Sequence, residues 1–190
     1  MTVIGSREPG AGRSGPGSIA ALADPRLPAP GRVLQGSRLP QVRPARLADV
    51  PALEALVAPW VASGDLLPRS RYDFCRHIRE YHVAVDPEGS VVGSVALKLY
   101  TLELGELGAL AVRGDWQGAG LGRTLCATVV DEARELGLRE VFALTRQPLF
   151  FAHLGFEPAE RAHFPLKVWA DCARCPRQDA CDEVAVTLKL

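Results

Sequence analysis

The sequence predicts one α/β domain built on a mixed sheet flanked by helices. Three observations carry that expectation. The chain has 190 residues, enough for one domain with a real core but not comfortably for two, and 47% of them are hydrophobic. Runs with helical spacing of apolar residues alternate with β-rich runs from residue 41 onward. A glycine-rich turn then joins one of the strands to an amphipathic helix.

Taken in order, Gln41–Arg46 reads as a short strand. Asp49 reads as the cap of a helix over Val50–Val61, and Ser70–Glu80 as a second helix. His82–Asp86 and Val91–Leu99 are β-rich and joined by Pro87-Glu88-Gly89-Ser90, a hairpin-type turn. Leu104–Val112 continues as a further strand. Leu121, Leu125, Val129 and Leu136 mark one face of a helix that Gly137 ends. Glu140–Thr145 is another strand, Pro148–Leu154 a short helix and Val184–Leu190 a last strand.

Residues 1–40 have a different texture, with 7 Gly, 6 Pro, five Arg, two acids and no aromatic residue. Such a stretch cannot bury enough apolar surface to offset its ordering entropy, so it reads as disordered. Because Met1 is the only methionine, a misassigned start is an equal account: translation from Val33 or Val42 would leave the domain whole. The expected division is a disordered or misassigned extension over 1–40, a core over 41–160 and a cysteine-containing tail over 161–190 that completes the domain.

Charge and composition exclude several function classes. With 22 basic and 22 acidic residues there is no basic excess of the kind nucleic-acid binders show. No apolar run approaches the ~18 residues needed to span a bilayer. Five cysteines, an odd number with no secretory signal, point to a reducing cytoplasm rather than a disulfide framework. The sequence leaves a homodimer open.

The segment from Arg113 to Arg123 carries the functional signal. A glycine-bearing strand-to-helix turn lets backbone N–H groups converge on a phosphate, and the helix N-terminus adds partial positive charge. There is no Lys-Ser/Thr pair as in a Walker A site, and no Gly-x-Gly-x-x-Gly order with an acidic ribose partner. Gln117-x-x-Gly120-x-Gly122, preceded by a strand ending Leu110-Ala111-Val112, resembles the acetyl-CoA motif of the GNAT superfamily of N-acetyltransferases. Phe150-Phe151-Ala152-His153-Leu154-Gly155-Phe156 resembles that family's late Phe-Tyr-x-x-x-Gly-Phe segment, and the likeness extends over about residues 41–160.

The resemblance implies a GNAT-type, mostly antiparallel central sheet and acetyl-CoA as co-substrate. Backbone N–H groups of Gln117, Gly118, Ala119, Gly120, Leu121, Gly122 and Arg123 would hold the pyrophosphate. Leu110, Ala111 and Val112 would line the pantetheine arm like an added strand, where a bulge splays this strand from its neighbour.

Leu66-Leu67-Pro68-Arg69-Ser70-Arg71, Ala96-Leu97-Lys98 and Gly105-Glu106-Leu107 are similar to the acetyltransferase domain of bacterial N-acetylglutamate synthases. That likeness implies L-glutamate as a small-molecule acceptor and the first step of arginine biosynthesis. Larger members carry an amino-acid-kinase domain ahead of this one. Two carboxylates need separated cationic groups, and Arg suits them because its planar fork donates two hydrogen bonds. Arg69, Arg71, Lys98 and Arg146 are the candidates, with Lys167 closing the site from the tail. Lys98 is the sharpest, because an inward Lys in a β-rich run is costly unless paired.

Glu106 is the candidate base for removing the ammonium proton, and a backbone N–H such as that of Val112 the candidate oxyanion donor. Phe151 stands where many family members have a Tyr general acid, so no general acid is assigned. His153 reads as a helix-surface residue. Another amine (glutamine, a different amino acid or a protein N-terminus) and a non-catalytic CoA-sensing module are the alternatives. In the tail, Cys172, Cys175 and Cys181 lack a clear fourth ligand among His163, Asp171 and Asp182, so no metal is assigned. Cys75 and Cys126 read as small core residues.

Overall fold

The computed structural model describes residues 39–175 and 180–190. The extension expected over 1–40 falls, apart from its last two residues, outside the described residues. The strands are β1 (Gln41–Pro44), β2 (Tyr81–Val85), β3 (Val91–Leu99), β4 (Leu104–Val112), β5 (Glu140–Thr145), β6 (Glu157–Ala159) and β7 (Val184–Lys189). The helices are α1 (Val50–Ala62), α2 (Arg71–His77), α3 (Leu121–Glu135), α4 (Pro148–Ala152) and α5 (Pro165–Ala170). One sheet runs β1-β2-β3-β4-β5-β7-β6, and β4 against β5 is its parallel pair.

Both sheet faces are covered. On one, α3 and α4 pack over Val95, Leu97, Leu107 and Val141. On the other, α1 and α2 pack over Val83, Ala96 and Ala111, with Phe74 and Leu53 filling the layer. Phe164, just ahead of α5, stacks on Phe142 of β5 with ring centroids 4.0 Å apart. Side-chain alternation along a strand therefore fixes which residues face α5 rather than α3.

Several boundaries differ from the sequence reading. Asp49 does not cap α1 through its side chain; its carboxylate takes the Arg46 backbone N–H at 2.7 Å and the Arg43 guanidinium. The short 3-10 turn Leu47–Asp49 competes for that acceptor. The second helix is shorter than expected: Ser70 caps α2 through a reciprocal box with Asp73, and Ile78–Glu80 tightens into a 3-10 turn. Strand β6 and helix α5, three and six residues long, went unread because such short elements show no periodicity. Cys126 is buried as expected, whereas Cys75 lies exposed on α2.

β4 shapes the site. It pairs with β5 only through Leu104–Glu106 against Glu140–Phe142, and the two strands part beyond that point. Against β3, the register slips between Ser94/Ala111 and Ala96/Gly108, so two residues of β4 oppose one of β3. Ala109 in this bulge has φ +51°, an uncommon left-handed conformation for a residue with a side chain. The Ser94 hydroxyl donates to the Ala109 carbonyl at 3.1 Å and helps hold it. Because of the extra residue, facing switches along the strand: Leu107 packs toward α3, and beyond the bulge Leu110 and Val112 do so while Ala109 and Ala111 turn to α1.

Candidate active site

The turn after β4 presents a backbone cradle. Gly118 (φ +75°) and Gly120 (φ +84°) adopt left-handed conformations, and a Cβ on either would meet nothing within 4 Å. Gly120 caps the 15-residue α3 without a side-chain hydrogen bond, so the N–H groups of the first helical turn point outward uncapped. Gly122 sits against the Phe150 ring, where a Cβ would come within 3.4 Å. Gln117 takes part through its side chain as well: Nε2 donates to the Val112 carbonyl at 3.0 Å and ties the turn to the end of β4. The Arg113 N–H bonds Val92 on β3, so strand alternation aims the Val112 N–H at the opposite edge, where β5 has parted. Arg123 is exposed on α3. A helix N-terminus without a side-chain cap and an open glycine cradle fit a pyrophosphate, and the gap between β4 and β5 fits an extended arm.

A charged cluster lies at the head of that gap. Glu106, 4% exposed, stands where β4 leaves β5 and directly across from Lys98 in the β3 register. Its carboxylate receives the Lys167 ammonium at 2.7 Å, the Lys98 ammonium at 3.3 Å and the Tyr100 hydroxyl at 2.8 Å. Asp171 forms the second centre, accepting from Lys167 at 2.8 Å, Lys98 at 2.9 Å and Arg69 at 3.4 Å. Lys98 and Tyr100 share a face because they are two apart on or next to one strand; Lys167 and Asp171 meet because they are one helical turn apart. Gly108 keeps the space beside Glu106 open, since a Cβ there would come within 3.2 Å of Oε1.

Burial pushes the Glu106 carboxyl up, but Lys98, Lys167 and the hydrogen bonds from Lys167 and Tyr100 outweigh it and hold it below the usual carboxylate range. Asp171 is held lower in the same way, against burial, by Lys98 and Lys167. Lys167 is raised above its ordinary value, because Glu106 and Asp171 together overcome its desolvation. Burial and the adjacent Glu106 charge raise Tyr100. Glu106, Asp171 and Lys167 are thus ionised at neutral pH.

Not every candidate cation reaches this cluster. Arg69 does, from the wall of a 360 Å³ cleft between α1 and the approach to α2. Arg71 is exposed and doubly bonded to Glu54, the nearer contact at 2.6 Å. Arg146 bonds Asp65, Asp182 and the Gly64 carbonyl instead. Phe151 is buried and His153 exposed. Tyr100 and Asp171 were missed as members of the site. The period of β3 would have placed Tyr100 beside Lys98, and helical spacing from Lys167 would have placed Asp171, but α5 itself was not read from the sequence.

Among the described residues no group of three His, Cys, Asp or Glu could hold a metal ion, and Cys181 lies 3.2 Å from the Arg161 guanidinium. No described helix is long and apolar enough to cross a membrane.

A sequence profile of the Acetyltransferase (GNAT) family matches residues 51–156, more than half of the chain. This chain is a GNAT acetyltransferase. As such it is an acyltransferase, an enzyme that takes its acetyl group from acetyl-CoA. An uncharacterized N-acetyltransferase of Chlorobaculum tepidum is 39% identical to this acetyltransferase over 149 residues, covering 78% of this chain and 96% of the other. An amino-acid acetyltransferase of Mycobacterium tuberculosis is 35% identical over 137 residues, with 71% and 78% covered. Among solved structures, N-acetylglutamate synthase from Neisseria gonorrhoeae, complexed with coenzyme A and N-acetyl-glutamate, superposes with a TM-score of 0.72 at 30% identity. That match covers 80% of this acetyltransferase but only 35% of the synthase chain. The mixed, mostly antiparallel sheet of the GNAT fold is the architecture described above.

Proposed function

We propose that this acetyltransferase acetylates the α-amino group of an amino acid in the cytoplasm, with L-glutamate as the leading acceptor and the entry step of arginine biosynthesis as its place. The observation that carries the reading is the group of Arg69, Lys98 and Lys167, half-buried to buried around Glu106 and Asp171, at the head of the cofactor gap. An acceptor carboxylate would find spare donors there. Each lysine ammonium has three N–H groups and engages two carboxylates, and Arg69 commits one of its five N–H groups.

The cofactor would be held by the turn from Gln117 to Arg123 and by the edge of Leu110, Ala111 and Val112. Acetyl-CoA supplies the electrophilic thioester carbonyl when bound. Glu106, an anion at neutral pH, attracts the acceptor ammonium and takes its proton directly or through one water. Held below the ordinary carboxylate range, it is a weak base, so the fraction of free amine governs the rate. The Val112 N–H is the donor for charge developing on the carbonyl oxygen. Phe151 supplies no proton, so the departing thiolate takes one from water. Most of the acceleration then comes from holding amine and carbonyl together.

A second reading, an amino acid with one carboxylate such as glutamine, is favoured by one observation: Arg71 and Arg146 are both committed to acidic partners. A panel of amino acids with acetyl-CoA, followed by release of free thiol, tests both. Acetylation of glutamate, lost in Lys98→Ala, is expected. Turnover of another amine with none of glutamate overturns the leading acceptor.

A further inference from the structure

We infer that Asp171 determines acceptor specificity by setting the charge of the site, leaving one positive charge uncompensated, which the second carboxylate of a dicarboxylic amino acid neutralises. The inference rests on the amino-acid acceptor proposed above and adds to it a residue and a charge rule. Among the described residues three cations, Arg69, Lys98 and Lys167, face two carboxylates, Glu106 and Asp171. An amino acid brings an ammonium with its α-carboxylate, so glutamine leaves that positive charge in place, whereas the second carboxylate of glutamate brings the group to neutrality. Without Asp171 the same cations would carry two uncompensated charges and pull harder still on a second carboxylate.

The placement of Asp171 supports a role in charge rather than in packing alone. It is 9% exposed and its Oδ2 touches all three cations, so its charge acts on each of them. It arrives at the end of α5 with Lys167 one turn before it, so the tail adds one charge of each sign. Removing Asp171 alone unbalances that pair. The other two arginines that could greet a second carboxylate are held elsewhere, Arg71 by Glu54 and Arg146 by Asp65 and Asp182. Like charges a few ångströms apart in a partly buried site repel strongly enough to change binding by tenfold or more.

The test compares kcat/KM for L-glutamate and L-glutamine in the full-length wild type, Asp171→Asn and Asp171→Glu, with thermal melts confirming folding. Asp171→Asn is expected to raise the glutamate-to-glutamine ratio by roughly tenfold, and Asp171→Glu to keep it within about twofold of the wild type. An unchanged or lowered ratio in folded Asp171→Asn overturns the inference, because loss of packing alone would depress both substrates together. If Asp171→Asn does not fold, Arg69→Gln is compared with Arg69→Gln/Asp171→Asn, in which a cation leaves together with the anion. The double variant restores one uncompensated positive charge and should favour glutamate roughly tenfold more than the single variant; equal ratios overturn the inference. Should the wild type turn over neither amino acid, the acceptor reading fails by itself. The charge rule is then read from calorimetric binding of glutarate against 4-carbamoylbutanoate to the same proteins. A shift toward glutarate in Asp171→Asn supports it, and an unchanged preference or no carboxylate binding overturns it.

Discussion

The two halves of the site are built from different material. The half proposed for the cofactor is main chain: left-handed glycines, an uncapped helix start and a strand edge that β5 has released. The half proposed for the acceptor is side chain: three basic and two acidic residues and a tyrosine hydroxyl gathered from α2's approach, β3, β4 and the tail. A main-chain site tolerates exchange of its side chains but not of its dihedrals. A side-chain site tolerates neither the loss of a charge nor its reversal. The same fold can therefore keep one substrate constant while its other substrate changes.

The sharpest way to break this contrast is at Glu106. Glu106→Gln keeps the shape and removes the anion, and kcat/KM should fall by about 10²–10⁴ with CoA affinity little changed; a loss of CoA binding of similar size would show that the halves are not separate. Next in size, Lys167→Met strands two buried carboxylates facing only Lys98 and Arg69. A loss of about 3 kcal/mol in chemical denaturation is expected, the cost of breaking a buried pair from one side.

On the main-chain side, Gly120→Val forces a branched side chain into φ +84° and should weaken CoA roughly tenfold in calorimetry, while Gly120→Asn weakens it less. The pH dependence sharpens the same point. Glu106 and Asp171, held below their ordinary values, stabilise the fold above about pH 4 and lose that contribution as the pH falls below it. Lys167, held above its ordinary value, contributes below about pH 10.5 and loses its contribution at higher pH. Melting temperature should accordingly drop below about pH 4, and kcat/KM should climb from pH 6 to 9 with no limb from Glu106. An acid limb near pH 6–7 that disappears in Glu106→Gln would contradict the depressed carboxylate. The smallest effect belongs to Arg71→Gln: the exposed pair with Glu54 is screened by water, and a change in turnover under about twofold is expected.

The same contrast explains what the sequence made legible. A glycine that must adopt positive φ leaves its identity in the chain, so Gly118 and Gly120 marked the cradle before any coordinates did. Lys98 and Glu106 were each legible as charged residues in β-rich runs, but only the register between β3 and β4 brings them opposite one another. Asp171 was missed in this role although the sequence names Lys167, one helical turn before it, for the site. Its other two partners lie 73 and 102 residues away and are joined to it only by folding. Helix α1 begins at Val50 as expected, and α2 is shorter than expected because its last turn tightens into the 3-10 turn Ile78–Glu80. β6 exists because β7 supplies its hydrogen bonds, a partner that no window of three residues contains.

The bulge at Ala109 carries a consequence for how this enzyme could diversify. It works as a phase shifter, the inserted residue resetting which face each side chain joins: under the proposed function, substitutions upstream of it address the acceptor and those downstream the cofactor. A lineage could rewrite the strand around Glu106 without disturbing the edge that ends at Val112. Deleting the inserted residue would instead exchange the α3 face for the α1 face along the last three positions, and both proposed recognition tasks would fail together.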